Sequence, residues 1–101
     1  WATGPRIDVV ASNPMGIYDI YELKVRKAEP QDLYQLRMYW DGLVLSGVQP
    51  TRGTLLADSY TDNLKKMLQM VNELPAPSFP DGSPSAKYCF TLATLKEKLL
   101  V

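Results

Sequence analysis

Residues Arg6–Val25, RIDVVASNPMGIYDIYELKV, decide the fold. The β-branched run Arg6–Val10 and the longer aromatic and aliphatic run Ile17–Val25 both have strand composition. Between them Ala11–Gly16 supplies Asn-Pro and Gly as turn punctuation, so the two runs are expected to fold back as an antiparallel hairpin. With the turn centred near Met15, opposed residue numbers sum to about 30 by the geometry of antiparallel pairing. Asp8 then stands opposite Glu22, and Lys24 follows two residues along the same face. A slip of one residue would send each side chain to the other face, and the sequence alone does not fix the register.

Downstream of the hairpin, Ala28-Glu29-Pro30 is a helix entrance, with Glu29 and Asp32 near the positive end of the helix dipole. The helix is expected to run to about Ser46 and stop at Gly47. Leu33, Leu36, Trp40, Leu43 and Val44 form its buried stripe, and Gln35 and Tyr39 share an adjacent face one turn apart. Gly42 costs about 1 kcal/mol there relative to alanine, which suggests a close backbone approach. After a turn region over Val48–Gly53, Thr54–Ala57 has the composition of a buried strand, so strand, helix and strand make a crossover in a mixed sheet.

A second helix is expected over Asp62–Leu74, capped by Thr61 or Ser59, with Leu64, Leu68, Val71 and Leu74 inward and Lys65 and Lys66 outward. The Met67 and Met70 pair is read as helix packing. Residues 75–87 hold a proline-rich segment, expected to be an irregular, mobile loop. Tyr88–Phe90 is expected to add an edge strand and Leu92–Leu100 a short terminal helix. The expectation is therefore one α/β domain over residues 1–101, a mixed β-sheet flanked by helices: a core over 1–74, the loop over 75–87, and a C-terminal strand and helix over 88–101.

Length and composition agree with a single core, since 101 residues allow one domain. Eleven basic residues balance eleven acidic ones, so only a local patch could attract nucleic acid electrostatically. Histidine is absent and Cys89 is the lone cysteine, which removes histidine triads, histidine general bases, zinc sites built on cysteine or histidine, and an intrachain disulfide. Cys89 itself, with no adjacent base, is read as structural. A lone cysteine fits a reducing compartment. No charged-then-apolar leader and no apolar run of about 18 residues is present. Because the chain begins at Trp1, it reads as a piece of a larger protein.

Carboxylate, lysine, tyrosine and hydroxyl chemistry remain, and one arrangement uses them together. Asp8 and Glu22, opposed on adjacent strands, can share a hard divalent cation such as Mg2+, with the Leu23 carbonyl, expected near a strand end, as a further oxygen. Lys24 on the same face can stabilise negative charge developing on a phosphate or assist deprotonation of water. Water activated by such an ion needs no histidine. Gln35 and Tyr39 on the next helix can orient these groups by hydrogen bonds. Taken singly, Asp8, Glu22 and Lys24 are as well read as a solvated cross-strand ion cluster. Lys24, Arg26, Lys27, Arg37, Arg52, Lys65 and Lys66 are read first as solvated charges, second as a nucleic-acid groove. Tyr18, Tyr21, Tyr34 and Trp40 are read first as core or strand-surface aromatics and only second as base-stacking platforms.

In order and placement, Arg6-Ile7-Asp8, Glu22-Leu23-Lys24 and Gln35-Leu36-Arg37-Met38-Tyr39 resemble the PD-(D/E)xK, or restriction-endonuclease-like, nuclease superfamily, RecB-type members with a Gln-x-x-x-Tyr motif in particular. The resemblance spans roughly residues 4–58. It implies a restriction-endonuclease-like core and a Mg2+- or Mn2+-dependent nuclease that hydrolyses DNA phosphodiester bonds, with a DNA repair role, in the cytoplasm or on the nucleoid. It implies Asp8 and Glu22 as metal ligands, Lys24 as the group serving the nucleophilic water, and Gln35 and Tyr39 as supporting residues. Family members carry a helix and strand before the Asp, so the core is expected to be truncated at its N-terminus. The proline of the family's name is missing before Asp8, as is common in RecB-type members. The competing expectation is a non-catalytic nuclease-like module that binds nucleic acid or protein within a larger assembly.

Overall fold

A computed structural model describes residues 7–12, for their backbone, and 18–99. Strand β1 (Ile7–Ser12) pairs antiparallel with β2 (Tyr18–Lys27) in the expected register, Asp8 opposite Glu22 and Val10 opposite Ile20. The turn between them lies outside the described residues. Helix α1 (Pro30–Leu45) crosses to β3 (Arg52–Ser59), which lies parallel to β2. Helix α2 (Asp62–Val71) and an irregular segment lead to β4 (Phe90–Thr94), parallel to β3, and to the short α3 (Leu95–Leu99). The sheet is four-stranded and mixed, in the order β1-β2-β3-β4, and with its helices makes a small α/β domain.

Alternation along the strands sets the core. Ile20 of β2, Leu55 and Ala57 of β3 and Phe90 of β4 pack with Leu33, Leu36, Trp40 and Val44 of α1 and Leu64 and Leu68 of α2. The expected stripe of α1 is therefore the buried one, with Leu43 half-buried beside it. Trp40 meets Phe90 and Tyr88 edge-on, with ring centroids 5.2 and 5.7 Å apart, and Tyr88 stacks on Phe90. Thr61 caps α2, its hydroxyl accepting from the Leu64 N–H at 3.1 Å, and Lys65 and Lys66 are exposed as expected.

Several boundaries differ from expectation, each for a local reason. Gly53 belongs inside β3, where only a hydrogen fits beneath Phe90. Gly42 permits no close approach, because a Cβ there would meet nothing within 4 Å. Helix α2 ends three residues early because Asn72 turns its side-chain amide to β4, donating to the Phe90 carbonyl and accepting from the Phe90 N–H. The edge strand begins only at Phe90, leaving Tyr88 and Cys89 outside it, and runs on through Leu92–Thr94; the terminal helix begins only at Leu95, where Thr94 caps it by accepting from the Glu97 N–H. Met67 and Met70 do not pack inward but stand 40% and 70% exposed, and Cys89 is exposed. The proline-rich segment is irregular yet fastened, with the Ser85 hydroxyl donating to the Pro77 carbonyl and the Ala86 N–H to Gln49 Oε1.

Candidate active site

Strand β2 delivers the central side chains. Glu22 and Lys24 follow Ile20 on the helix-covered face, and all three are buried. A buried glutamate and lysine are costly unless they are paired. The Lys24 ammonium accordingly lies 3.5 Å from Glu22 Oε1 and 3.9 Å from Asp32 Oδ1. Asp32 is itself 2% exposed, in the first turn of α1. Its Oδ2 accepts from the Glu29 N–H at 2.8 Å, half of a capping box that fixes the start of the helix. Arg26, two residues beyond Lys24, grips the same carboxylate with both terminal nitrogens, Nη1 to Oδ2 at 2.9 Å and Nη2 to Oδ1 at 2.8 Å. That hydrogen bonding to Asp32 raises the Arg26 pKa above its ordinary value, against the desolvation that lowers it.

The sequence-identified residues are thus only partly assembled. Glu22 and Lys24 touch, and Asp8 is registered opposite Glu22, with its side chain outside the described residues. Leu23 is not at a free strand end: it is paired with Ile7 on one side and Leu56 on the other. Gln35 and Tyr39 are half-buried neighbours on α1, and with Tyr34 and Met38 they line a groove of about 280 Å³. Tyr34 is 61% exposed, so it belongs to the surface and not to the core. Asp32, Gln35 and Tyr39 follow at three- and four-residue intervals on one side of α1, whereas Glu22, Lys24 and Asp32 do not line the groove.

Sequence reasoning missed Asp32 and Arg26 as members of the cluster, reading one as a dipole partner and the other as a solvated charge. The available signal was the parity of β2, in which Arg26 continues the Ile20, Glu22, Lys24 series; nothing local chose Asp32 over Glu29 as its main partner.

As to a metal ion, anionic oxygen at Glu22, with Asp8 in register, is the donor chemistry that Mg2+ or Mn2+ prefers. Among the described residues no group of three or more Asp, Glu, Cys or His is placed to hold an ion, so Glu22 fits only as part of a site completed by Asp8 and water. No helix among them is long and apolar enough to cross a membrane. Comparison with protein-family models, curated proteins and solved structures finds no match.

Proposed function

We propose that this domain is a metal-dependent nuclease hydrolysing DNA phosphodiester bonds, built on a restriction-endonuclease-like core. The observation that carries the reading is the ammonium of Lys24, buried 3.5 Å from Glu22 on the strand whose register opposes Asp8. A lysine brought under a helix beside a carboxylate gains little stability, since burying such a pair costs about what the pairing returns. A reaction that develops negative charge gives it a use. In this reading Asp8 and Glu22 are the ligands of Mg2+ or Mn2+; Leu23, paired with a strand on each side, is not counted among them. The ion supplies Lewis acidity and lowers the pKa of water. Lys24 donates to the phosphate oxygen or attacking water as charge develops there, and Gln35 and Tyr39 hold the substrate or the carboxylates by hydrogen bonds from the next helix. With zero net charge, the domain as a whole exerts no net electrostatic pull on DNA, so tight binding would have to come from a local groove of basic residues.

A second reading is a non-catalytic module that binds nucleic acid or protein. It is favoured by the way Lys24, Glu22, Asp32 and Arg26 pair with one another. Cleavage of supercoiled plasmid and of single strands in Mg2+ and in Mn2+ separates the two. The nuclease reading expects wild type to cut and Asp8→Ala and Lys24→Ala to lose cutting; equal background in all three removes it. Salt-dependent DNA affinity with no metal effect is the result expected of the module.

A further inference from the structure

The Lys24 ammonium stands between two carboxylates that differ in how they are held. Glu22 is fully buried on the strand. Asp32 is clamped by three donors: its Oδ2 takes Arg26 Nη1 and the Glu29 N–H, while its Oδ1 takes Arg26 Nη2 and faces Lys24 Nζ at 3.9 Å. A carboxylate oxygen has two lone-pair directions, so Oδ1 retains capacity for a second donor. The ammonium would need to move only about 1 Å to reach the usual charge-assisted hydrogen-bond length of about 2.8 Å.

A divalent cation bound at Glu22 would place two positive charges beside the ammonium now 3.5 Å from Oε1. Repulsion at such separations is strong away from bulk water, so the ammonium has to withdraw from Glu22. The Lys24 side chain is 9% exposed, and leaving it buried without a partner would be costly. Asp32 is the anionic group already within reach, and its clamp keeps it from following the cation.

We propose that Asp32 is a positioning residue: it receives the Lys24 ammonium when a divalent cation binds Glu22, so that the amine stays beside the site. The inference rests on the metal-dependent reading above. It makes cation affinity depend on a residue that is not a ligand, and only while Lys24 is present.

Mn2+ affinity of the intact chain, measured by electron paramagnetic resonance of free Mn2+, tests it without any cleavage assay. Asp32→Asn is expected to weaken binding about tenfold or more, the size of one hydrogen bond to a charged group. In a Lys24→Met background the same substitution should change affinity little, a rescue that a merely structural role would not produce. Weakening that is equal with and without Lys24, or no weakening, overturns the positioning role while the metal reading stands. No Mn2+ binding by wild type overturns both. Should Asp32→Asn not fold, the methylene protons next to the Lys24 nitrogen decide the matter in wild type. They should remain inequivalent by nuclear magnetic resonance on saturation with Mg2+, as for an ammonium held on Asp32. Their collapse to one signal, as for an ammonium released to water, overturns the proposal.

Discussion

Gly53 and Phe90 leave no room between them for a methyl group: a Cβ on Gly53 would stand 2.8 and 2.9 Å from two carbons of the Phe90 ring, and 3.4 Å from Leu36. Phe90 cannot withdraw easily, because it is 2% exposed and wedged between Trp40 and Tyr88. Gly53→Ala is therefore expected to destabilise the domain by about 1–3 kcal/mol, the usual cost of overpacking a core. Gly42→Ala should do the reverse, adding up to about 1 kcal/mol, since its Cβ meets nothing and the helix loses a glycine. Urea midpoints of the two variants against wild type check both signs.

The same pair of glycines shows what the sequence could and could not convey. A glycine inside a helix is visible as a propensity cost, whereas the tight spot at Gly53 depends on Phe90, 37 positions away, and no local pattern contains it. The hairpin was legible because Asn-Pro-Met-Gly marks the turn and strand composition flanks it; these put Asp8 near Glu22, but a slip of one residue fits the same pattern, and it is the strand pairing that sets them opposite. The crossover helix was legible from its apolar period. Leu92–Thr94 misled because LATLKEKLL has helical spacing throughout, and pairing with β3 overrides that preference for its first three residues. Within the candidate site, local reading reached Glu22 and Lys24 on one face. Asp32 and Arg26 escaped it because their pairing depends on how the helix start folds back over the end of β2.

Asn72 holds the outer edge of the sheet at Phe90. Its Nδ2 donates to the Phe90 carbonyl at 3.0 Å and its Oδ1 accepts from the Phe90 N–H at 2.8 Å, so one amide side chain stands in for a neighbouring strand. Asn72→Ala would leave both backbone groups of a buried residue without this partner. The expected cost is about 1–3 kcal/mol. Asn72→Asp keeps the acceptor and loses the donor, and should fall between. Hydrogen exchange of the Phe90 amide should quicken in Asn72→Ala.

Tyr88 makes the domain sensitive to alkali. Its hydroxyl donates to Asp41 Oδ1 at 2.6 Å and accepts from Arg37 Nε at 3.2 Å, with the ring buried against Trp40. Burial first, then the hydrogen bond to Asp41, raises its pKa above the ordinary 10.0. The folded state thus binds the phenolic proton more tightly than the unfolded chain. The resulting stabilisation is fully present below pH 10.0 and is lost as pH rises through the folded value. Melting temperatures followed from pH 8 upward should fall less steeply above about pH 10 in Tyr88→Phe than in wild type.

Arg26 fixes the carboxylate on which the start of α1 depends, and its geometry predicts that charge alone will not replace it. Two parallel hydrogen bonds of 2.9 and 2.8 Å match a guanidinium fork to Asp32, and a lysine ammonium cannot reproduce the fork. The side chain of Arg26 is 41% exposed while that of Asp32 is 2% exposed, so water can only partly replace the lost donors. Arg26→Met is expected to cost about 1–3 kcal/mol, below the range for a wholly buried pair. Arg26→Lys should recover less than half of that loss. If the cost comes from stranding Asp32, it must shrink when Asp32 is already neutral. Denaturation midpoints of Arg26→Met, Asp32→Asn and the double variant should show the second substitution costing less than the first, by about 1 kcal/mol or more. Additive costs would instead mean that Arg26 acts through the packing of its methylene stem.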